Sequence, residues 1–167
     1  RVSGVGIYAN ASTGQNEGTG KIIMTKASSV GILGLADSEL TNASGGKITV
    51  EKGSSAGIYA ENSNVTNSGT ITTEDEKSAG IFSKSSSASA KTVTNTGNIK
   101  ITGTGKTKSA GIYAELDNSA TGKLTVTNDT GGKIEVETAK SVGIYGKNET
   151  SDKENFIIDI LREEVFE

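Results

Sequence analysis

The hexapeptide Ser-Ala-Gly-Ile-Tyr-Ala stands at residues 55–60 and is repeated without change at residues 109–114. Its central Gly-Ile pair occurs six times along the chain, and all four tyrosines directly follow one of these pairs. The six tripeptides are Gly6-Ile7-Tyr8, Gly31-Ile32-Leu33, Gly57-Ile58-Tyr59, Gly80-Ile81-Phe82, Gly111-Ile112-Tyr113 and Gly143-Ile144-Tyr145. They recur every 23 to 32 residues, a spacing typical of a solenoid or repeat array rather than of a globular domain.

Each Gly-Ile pair lies in a segment that predicts a short β-strand. Small residues stand two positions before and two positions after the isoleucine, as in residues 56–60. Because the side chains of a strand alternate between its two faces, the isoleucine and both small residues share one face, which we expect to be buried. The glycine and the aromatic residue are then expected on the outer face. The predicted buried column is Ile7, Ile32, Ile58, Ile81, Ile112 and Ile144.

Two further strand-like segments follow each Gly-Ile segment, and both carry a repeated residue. The first ends in asparagine, and the second has the form Gly-x-Ile, which predicts a second buried isoleucine column. Asparagine and glycine both tolerate left-handed backbone and are typical of turns. Since stacked repeats place equivalent residues above one another, we expect the asparagines to form a ladder of side-chain amides. Its members are Asn16, Asn42, Asn67, Asn95 and Asn128.

Three short strands per repeat predict an all-β fold, a single-stranded parallel β-helix of about six rungs of 23–32 residues. The repeats cover residues 1–150, and right-handed winding is expected because it is the commoner hand. A leucine-rich repeat is disfavoured because the Leu-x-x-Leu-x-Leu spacing is missing, and a propeller blade needs about 40 residues. The chain starts within a repeat, so we expect it to be a fragment of a longer array.

Residues 151–167 break the repeat pattern and predict a short C-terminal helix from about 152 to 166. Ser151 and Glu154 have the spacing of a helix capping box. The apolar residues that follow recur at helical spacing: Phe156, Ile157, Ile160, Leu161 and Val165. Two interpretations are open at this point. The amphipathic helix either caps the last rung, as solenoid ends require, or is a non-native or partner-binding tail.

The composition argues against several classes of function. The chain has no Cys, His, Pro or Trp, which removes disulfides, zinc–histidine sites and histidine-dependent catalytic triads. Its net charge of -3, with Lys and Glu interspersed, offers no basic field for nucleic acid. No stretch approaches the ~20 apolar residues of a membrane-spanning helix. We therefore expect no cofactor, no metal and no nucleic-acid partner.

The outward aromatic column is the candidate binding surface. It would form a stripe ~24 Å long over five rung steps, interrupted by Leu33. Such a stripe can stack on sugar rings or be buried against a partner, but stacked aromatic residues also stabilise a sheet on their own. The long turns at residues 83–92 and 114–124 are the alternative recognition sites. The stripe consists of Tyr8, Tyr59, Phe82, Tyr113 and Tyr145.

Charged residues stand two positions after the aromatic residue in the later repeats. Glu61, Lys84, Glu115 and Lys147 alternate in sign, so neighbouring rungs are expected to pair opposite charges. Such cross-strand pairs each contribute about 0.2–1 kcal/mol. The alternation therefore supports the same stacking register as the isoleucine column.

Some β-helices degrade polysaccharides, so a carbohydrate-active, depolymerase-like enzyme is the alternative function. This chemistry requires carboxylates that converge on one groove. The candidates lie at unequal offsets in different repeats, and each is more simply a solvated turn residue: Asp37, Glu61, Asp75, Glu115 and Asp117. A weaker alternative is ice binding by rows of threonine, which lysine and glutamate interrupt. We therefore expect a protein that is not an enzyme.

Two motifs resemble the passenger repeats of type V autotransporters, in particular those of the fusobacterial adhesin kind. They are Ser-Ala-Gly-Ile-Tyr-Ala, at 55–60 and 109–114, and Thr-Asn-x-Gly-x-Ile, at 66–71 and 94–99. The resemblance covers about residues 1–150 and implies a secreted β-helix displayed on the surface of a Gram-negative cell. The parent protein would be anchored in the outer membrane by a C-terminal β-barrel. The implied function is a non-catalytic stalk or adhesin segment in virulence, with a host-cell or bacterial surface protein or glycan as partner.

Overall fold

In the computed structural model, which describes residues 2–103 and 106–161, the chain winds into a parallel β-solenoid with three strands in each full turn. Sheet 1 contains β1 (Gly4–Asn10), β4 (Ser29–Leu35), β7 (Ala56–Glu61), β10 (Ala79–Ser85), β13 (Ala110–Leu116) and β16 (Val142–Asn148). Sheet 2 contains β2 (Thr13–Asn16), β5 (Glu39–Asn42), β8 (Asn64–Asn67), β11 (Lys91–Asn95), β14 (Leu124–Asn128) and β17 (Phe156–Ile160). Sheet 3 contains β3 (Lys21–Met24), β6 (Lys47–Val50), β9 (Thr70–Thr73), β12 (Asn98–Ile101) and β15 (Lys133–Val136). The predicted parallel solenoid of about six rungs is confirmed.

The strands pair so that each repeated residue lies beside its own equivalent in the next rung. In sheet 1, Ile7 pairs with Ile32, and isoleucine continues to pair with isoleucine as far as Ile144. The asparagines pair in the same way in sheet 2, as do the second isoleucines in sheet 3. A slip of one residue would turn buried side chains outward. The interior columns therefore fix the position of every outward side chain.

Three apolar columns, one from each sheet, meet in the interior. Ile58 of sheet 1, Val65 of sheet 2 and Ile71 of sheet 3 are at most 1% exposed and belong to one continuous cluster. Burial of such a side chain contributes about 1.5–3 kcal/mol. Three per rung cannot offset the conformational entropy of ordering 23 or more residues, so each rung depends on its neighbours. Ile7 and Ile144, in the first and last rungs, are only partly buried.

Side-chain amides form a ladder at the ends of the sheet 2 strands. The Nδ2 atom of each asparagine donates to the Oδ1 atom of the next, at 2.7–2.8 Å, in the series Asn16, Asn42, Asn67, Asn95 and Asn128. Nδ2 atoms also approach carbonyl oxygens of the following turn, as Asn67 approaches Gly69 at 3.4 Å. The three central asparagines are fully buried. The amide ladder predicted from the repeated asparagines is therefore present.

The glycine of each Gly-Ile pair does not face outward as strict alternation predicts. A Cβ atom on Gly57 would lie 2.4 Å from Cγ2 of the buried Ile71 and 2.6 Å from the carbonyl oxygen of Gly80. Between β7 and β10, Ala56 pairs with Ala79 and Ile58 pairs with Ile81, but the glycines between them do not pair. The regular alternation of side chains is therefore interrupted at the glycine. The preceding residue, Ala56, lines an outer groove instead. The expectation for the glycine face is wrong because the glycine backbone packs directly on the isoleucine of sheet 3.

The C-terminal segment continues the solenoid as a strand. β17 pairs in parallel with β14 and supplies the second strand of the sixth rung. The helix predicted from about 152 to 166 is therefore wrong over this stretch, and residues 162–166 lie outside the described residues. The sequence Phe-Ile-Ile suits a strand as well as a helix face, and the open edge of β14 offers backbone partners. Strand pairing then outweighs the helical spacing.

A short 3-10 turn at Lys153–Asn155 is the one helical element in the described part of the chain. Asp152 caps this turn, since its carboxylate accepts a hydrogen bond from the Glu154 amide at 2.9 Å. The predicted capping residue, Ser151, is not the cap. Among the residues that the structure describes, no helix has the length and apolar character needed to cross a membrane.

Replacement of Gly111 by alanine is expected to destabilise the solenoid. The new Cβ would lie 2.5 Å from both the carbonyl oxygen of Gly143 and Cγ2 of Ile134, and relief of such overlap costs about 1–3 kcal/mol. Gly143→Ala is the matched control, because its Cβ would lie 3.7 Å from the same Ile134 atom. Chemical denaturation should show a lower free energy of unfolding for Gly111→Ala but not for Gly143→Ala. Equal stability of the two variants would contradict the inward packing of the glycine column.

Replacement of Asn67 by alanine should cost more stability than the same change at Asn16. The central change removes the asparagine partners of Asn42 Nδ2 and Asn95 Oδ1, and a buried polar group left unpaired costs about 1–3 kcal/mol. At the end of the ladder, Asn16→Ala removes only the donor to Asn42 Oδ1. Thermal unfolding followed by circular dichroism compares the two. A larger loss for Asn16→Ala would contradict a ladder that couples neighbouring rungs.

Candidate binding groove beside the aromatic stripe

The outward aromatic residues of sheet 1 form a continuous stack over four rungs. Ring centroids are 4.9 Å apart for Tyr59 and Phe82, 4.9 Å for Phe82 and Tyr113, and 5.0 Å for Tyr113 and Tyr145. These separations match the ~4.8 Å distance between neighbouring strands, so the strand register sets the stack. Tyr8 and Tyr145 are 58% and 45% exposed, and the three aromatic residues between them are partly buried. The structure thus brings four of the five predicted stripe residues into contact, and Tyr8 remains apart.

The stacking leaves the edges of the rings, rather than their faces, open to a ligand. The planes of Tyr59 and Phe82 differ by 5°, and those of Phe82 and Tyr113 by 3°. Both faces of Phe82 are therefore covered by its neighbours. Sugar stacking on these inner faces, one of the expected modes of binding, is blocked. The stripe instead presents an apolar ridge of ring edges.

A groove with a volume of about 550 Å³ runs beside this ridge on sheet 1. The aromatic stripe forms one wall through Tyr59, Phe82 and Tyr113. The floor consists of the small residues that precede each glycine: Val30, Ala56, Ala79 and Ala110. Turn residues that lead into the strands, including Lys77 and Lys108, form the second wall. The groove is thus built from three columns, each of which contributes one residue per rung.

The residues of the second wall share an uncommon backbone conformation. Lys77, Lys108 and Lys140, here named the lysine column, have φ values of 55°, 64° and 54°. Lys77 and Lys108 line the groove, and Lys140 holds the same place in the next rung without lining it. Ser28 and Ser54 hold the same place in earlier rungs, with φ values of 55° and 57°. Non-glycine residues rarely adopt this left-handed region, at a cost of about 1–3 kcal/mol each. The surrounding structure must therefore hold each turn firmly.

A serine directly after each of these residues holds the turn. From Ser55 onward, the Oγ atom of each serine accepts a hydrogen bond from the backbone N–H of the equivalent serine one rung earlier, at 3.0–3.5 Å. The series is Ser29, Ser55, Ser78, Ser109 and Ser141. Sequence reasoning missed this ladder, although serine stands two residues before the glycine in five of the six repeats.

The lysine column carries positive charge that neighbouring acids offset only in part. Nζ of Lys77 lies 3.7 Å from a carboxylate oxygen of Glu76, with side chains 57% and 46% exposed. The other two lysines of the column form no ion pair within residues 2–103 and 106–161. The carboxylate of Asp75 is held by Lys106 at 3.0 Å. Hydrogen bonds from the Glu76 amide and then from Lys106 lower the pKa of Asp75. The carboxylate therefore stays charged and paired with Lys106.

Charges alternate on the other side of the stripe. Lys84 lies 3.3 Å and Lys147 lies 3.9 Å from the carboxylate of Glu115, as the alternation predicts. Glu61 forms no ion pair with the described residues, so the third expected pair is missing. The Tyr113 hydroxyl donates to Glu115 at 3.3 Å. Burial first, and the charge of Glu115 second, raise the pKa of Tyr113.

Three carboxylates converge on this far side but are already bound by lysines. Oxygen atoms of Glu115, Asp117 and Glu149 lie within 4.8 Å of one another. Lys84 contacts the first two, and Lys147 contacts the first and the third. A metal ion would have to displace both ammonium groups. The arrangement is therefore a salt-bridge network.

The remaining carboxylate candidates do not converge on the groove. Asp37 follows the sheet 1 strand of the second rung and lies 2.6 Å from Nζ of Lys91. Asp75 is bound to Lys106, as described above. No carboxylate lies among the groove-lining residues of the described chain. The pair of acids that glycoside hydrolysis requires is not found there, so this surface gives the depolymerase alternative no support.

The long turns at residues 83–92 and 114–124 lie beyond the other ends of the sheet 1 strands from the lysine column. They contact each other, since the Gly122 amide donates to the carbonyl oxygen of Ser87 at 3.0 Å. The two predicted recognition sites, the stripe and these turns, are therefore separate surfaces. The residues of the turns do not line the groove.

Comparison of the chain with protein-family models, with curated proteins and with solved structures finds no match. The candidate function therefore depends on the geometry of this chain and on its repeat motifs. The groove is the candidate binding surface because its three columns of residues repeat through consecutive rungs. Its two walls differ in chemistry, since one is apolar and the other carries lysine.

Replacement of Glu115 by glutamine should lower the pKa of Tyr113. Glu115 raises this pKa because its negative charge disfavours the tyrosinate. Burial is the larger cause, so the pKa should stay above its ordinary value in the variant. Glu61→Gln is the control, since Glu61 is the second cause of the raised pKa of Tyr59. NMR titration of labelled tyrosine should show a lower Tyr113 pKa in Glu115→Gln, and in Glu61→Gln a lower Tyr59 pKa with Tyr113 unchanged. An unchanged Tyr113 pKa in Glu115→Gln would contradict the contact.

Proposed function

We propose that this chain is a non-catalytic stalk or adhesive segment of a bacterial surface autotransporter passenger. The observation that carries the proposal is the continuity of the groove and the aromatic ridge through consecutive rungs. A surface repeated in register offers many weak contacts to one partner, which raises avidity without a specialised pocket. Attachment to a host cell or to another bacterial cell is a function of this kind.

The fold suits a protein that projects from a cell. Each rung adds ~4.8 Å along the axis, and its isoleucines are buried only by the rungs on either side. Length can therefore grow by repetition without a new core. The serine and asparagine ladders hold the rungs together without any cysteine. The motif resemblance to autotransporter passengers supports the display of such a rod outside the cell.

Ice binding receives less support from the outer face of sheet 3. A flat threonine array would need threonine at the same place in successive rungs. Thr49 and Thr72 are adjacent in register, but Lys100 and Glu135 take the next two places of that column. Paired charged side chains interrupt the row and bind liquid water instead.

Beads coated with the purified chain should attach to epithelial or bacterial cells, and Tyr59→Ser/Tyr113→Ser should weaken the attachment. Both tyrosines line the groove, and loss of two aromatic contacts of about 0.5–1.5 kcal/mol each corresponds to roughly tenfold or more. Tyr8→Ser is the matched control, because Tyr8 is exposed and does not line the groove. Tyr59→Phe/Tyr113→Phe keeps the stack and shows whether the hydroxyls matter.

Circular dichroism and thermal unfolding must show that every variant keeps the solenoid. No attachment of beads that carry the folded chain would contradict an adhesive role and leave the stalk role. Equal loss in the groove variant and in Tyr8→Ser would contradict the groove as the site of attachment.

A further inference from the structure

We infer that the groove binds an acidic polysaccharide that lies along the solenoid axis, between the aromatic ridge and the lysine column. The inference rests on the proposed function and deepens it by naming the class of ligand. Three independent features of the groove support the inference. They are its direction along the solenoid axis, the hydrogen-bonded backbone of its floor and the positive charge of its second wall.

The direction of the groove favours a linear, repetitive ligand. Its ridge, its floor and its second wall each take one residue from each of three consecutive rungs. Equivalent positions therefore recur every ~4.8 Å along the axis. This distance is close to the length of one sugar unit in an extended glycan. A chain of sugars can meet the same set of contacts at each rung, whereas a compact ligand would use one or two.

The floor of the groove favours a polysaccharide over an extended polypeptide. The floor residues Ala56, Ala79 and Ala110 belong to strands that have a bonded neighbour on both sides in sheet 1. Their backbone groups are used within the sheet, so a peptide could not add to it as a strand. Peptide amides laid on this apolar floor would lose water without gaining partners, which is costly. The C–H surfaces of sugar rings carry no such penalty.

The second wall favours an acidic ligand. The turns that lead into sheet 1 place Lys77 and Lys108 in neighbouring rungs, with Lys140 in the next. Like charges therefore lie close together along these turns and repel one another. Serine fills the same position in two earlier rungs, at Ser28 and Ser54. The fold therefore does not require lysine there. On the far side of the stripe, by contrast, stacked charges alternate and pair.

Of the two lysines that line the groove, Lys77 has a neighbouring acid and Lys108 has none among the described residues. Glu76 contacts Lys77 at 3.7 Å, and Asp75 is bound to Lys106. Lys108 and Lys140 have no acidic partner within 4.0 Å among the described residues. The net charge of the chain is -3, so attraction must be local rather than long-range. Carboxylate or sulfate groups along one side of a glycan would supply the partner that Lys108 lacks in the groove.

Binding of hyaluronan, heparin and neutral dextran of matched length to the immobilised chain tests the inference. Hyaluronan carries carboxylates alone, and heparin carries sulfates as well, so the two acidic probes distinguish the source of the negative charge. We expect at least one acidic probe to bind, dextran not to bind, and added salt to weaken binding. Binding of dextran as tight as that of the acidic probes, or no binding of either acidic probe, would overturn the inference.

The variant Lys77→Ser/Lys108→Ser should bind the acidic probe roughly tenfold or more weakly, because two charge-assisted contacts are lost. Serine occupies this position at Ser28 and Ser54 with nearly the same φ, so the fold should be kept. Lys21→Ser/Lys47→Ser is the matched control, since these lysines are neighbours in sheet 3 and do not line the groove. An equal loss in both double variants would overturn the inference, since binding would then follow overall charge.

The same variants separate this inference from the proposed function. If Lys77→Ser/Lys108→Ser binds the acidic probes as tightly as the unchanged chain does, and its beads still attach fully to cells, adhesion stands and the acidic-polysaccharide inference fails. If the chain binds hyaluronan or heparin but its beads attach to no cell, the groove ligand stands and the adhesive function fails.

Discussion

Stacked buried asparagines impose the constraint on which the rest of the structure depends. An amide in the interior must find both a donor and an acceptor, and here each asparagine finds them in its equivalents one rung away. A rung that shifted by one residue would lose these bonds and turn its isoleucines outward. The amide ladder and the isoleucine columns therefore enforce one register. All other columns, inside and outside, follow from it.

The same register produces the outer surface. Tyr59, Phe82 and Tyr113 stack because their strands are in register, and not because a ligand holds them. The alanine floor exists because glycine breaks the alternation and turns the residue before it toward the groove. The left-handed turns that present Lys77 and Lys108 are held by buried serines. A recognition surface can thus arise from elements that the fold already needs.

Much of this architecture is predictable from the sequence because it depends on recurrence. Isoleucine and asparagine return at fixed places, so their columns follow without knowledge of the chain's path. The glycine face is not predictable from alternation, because Gly57 packs on an isoleucine that lies 14 residues later in the chain. The strand at 156–160 is hidden by apolar spacing that also suits a helix, and only the free edge of β14 decides between them. The groove is also not predictable from the sequence pattern, because it requires both the left-handed turn and the inward glycine. A role for the stripe in binding stays a prediction.

The direction of the hydrogen bonds between rungs has a mechanical consequence. These bonds join strands of successive rungs and therefore run along the solenoid axis, while the first and last strands of the described residues, β1 and β17, lie in the first and last rungs. A pulling force on the ends then loads the outermost rung first and peels it away before the next is disturbed. Each rung of 23–32 residues would release roughly 80–110 Å of extended chain as it yields. Such a rod lengthens stepwise under load, while the rungs that remain stay folded.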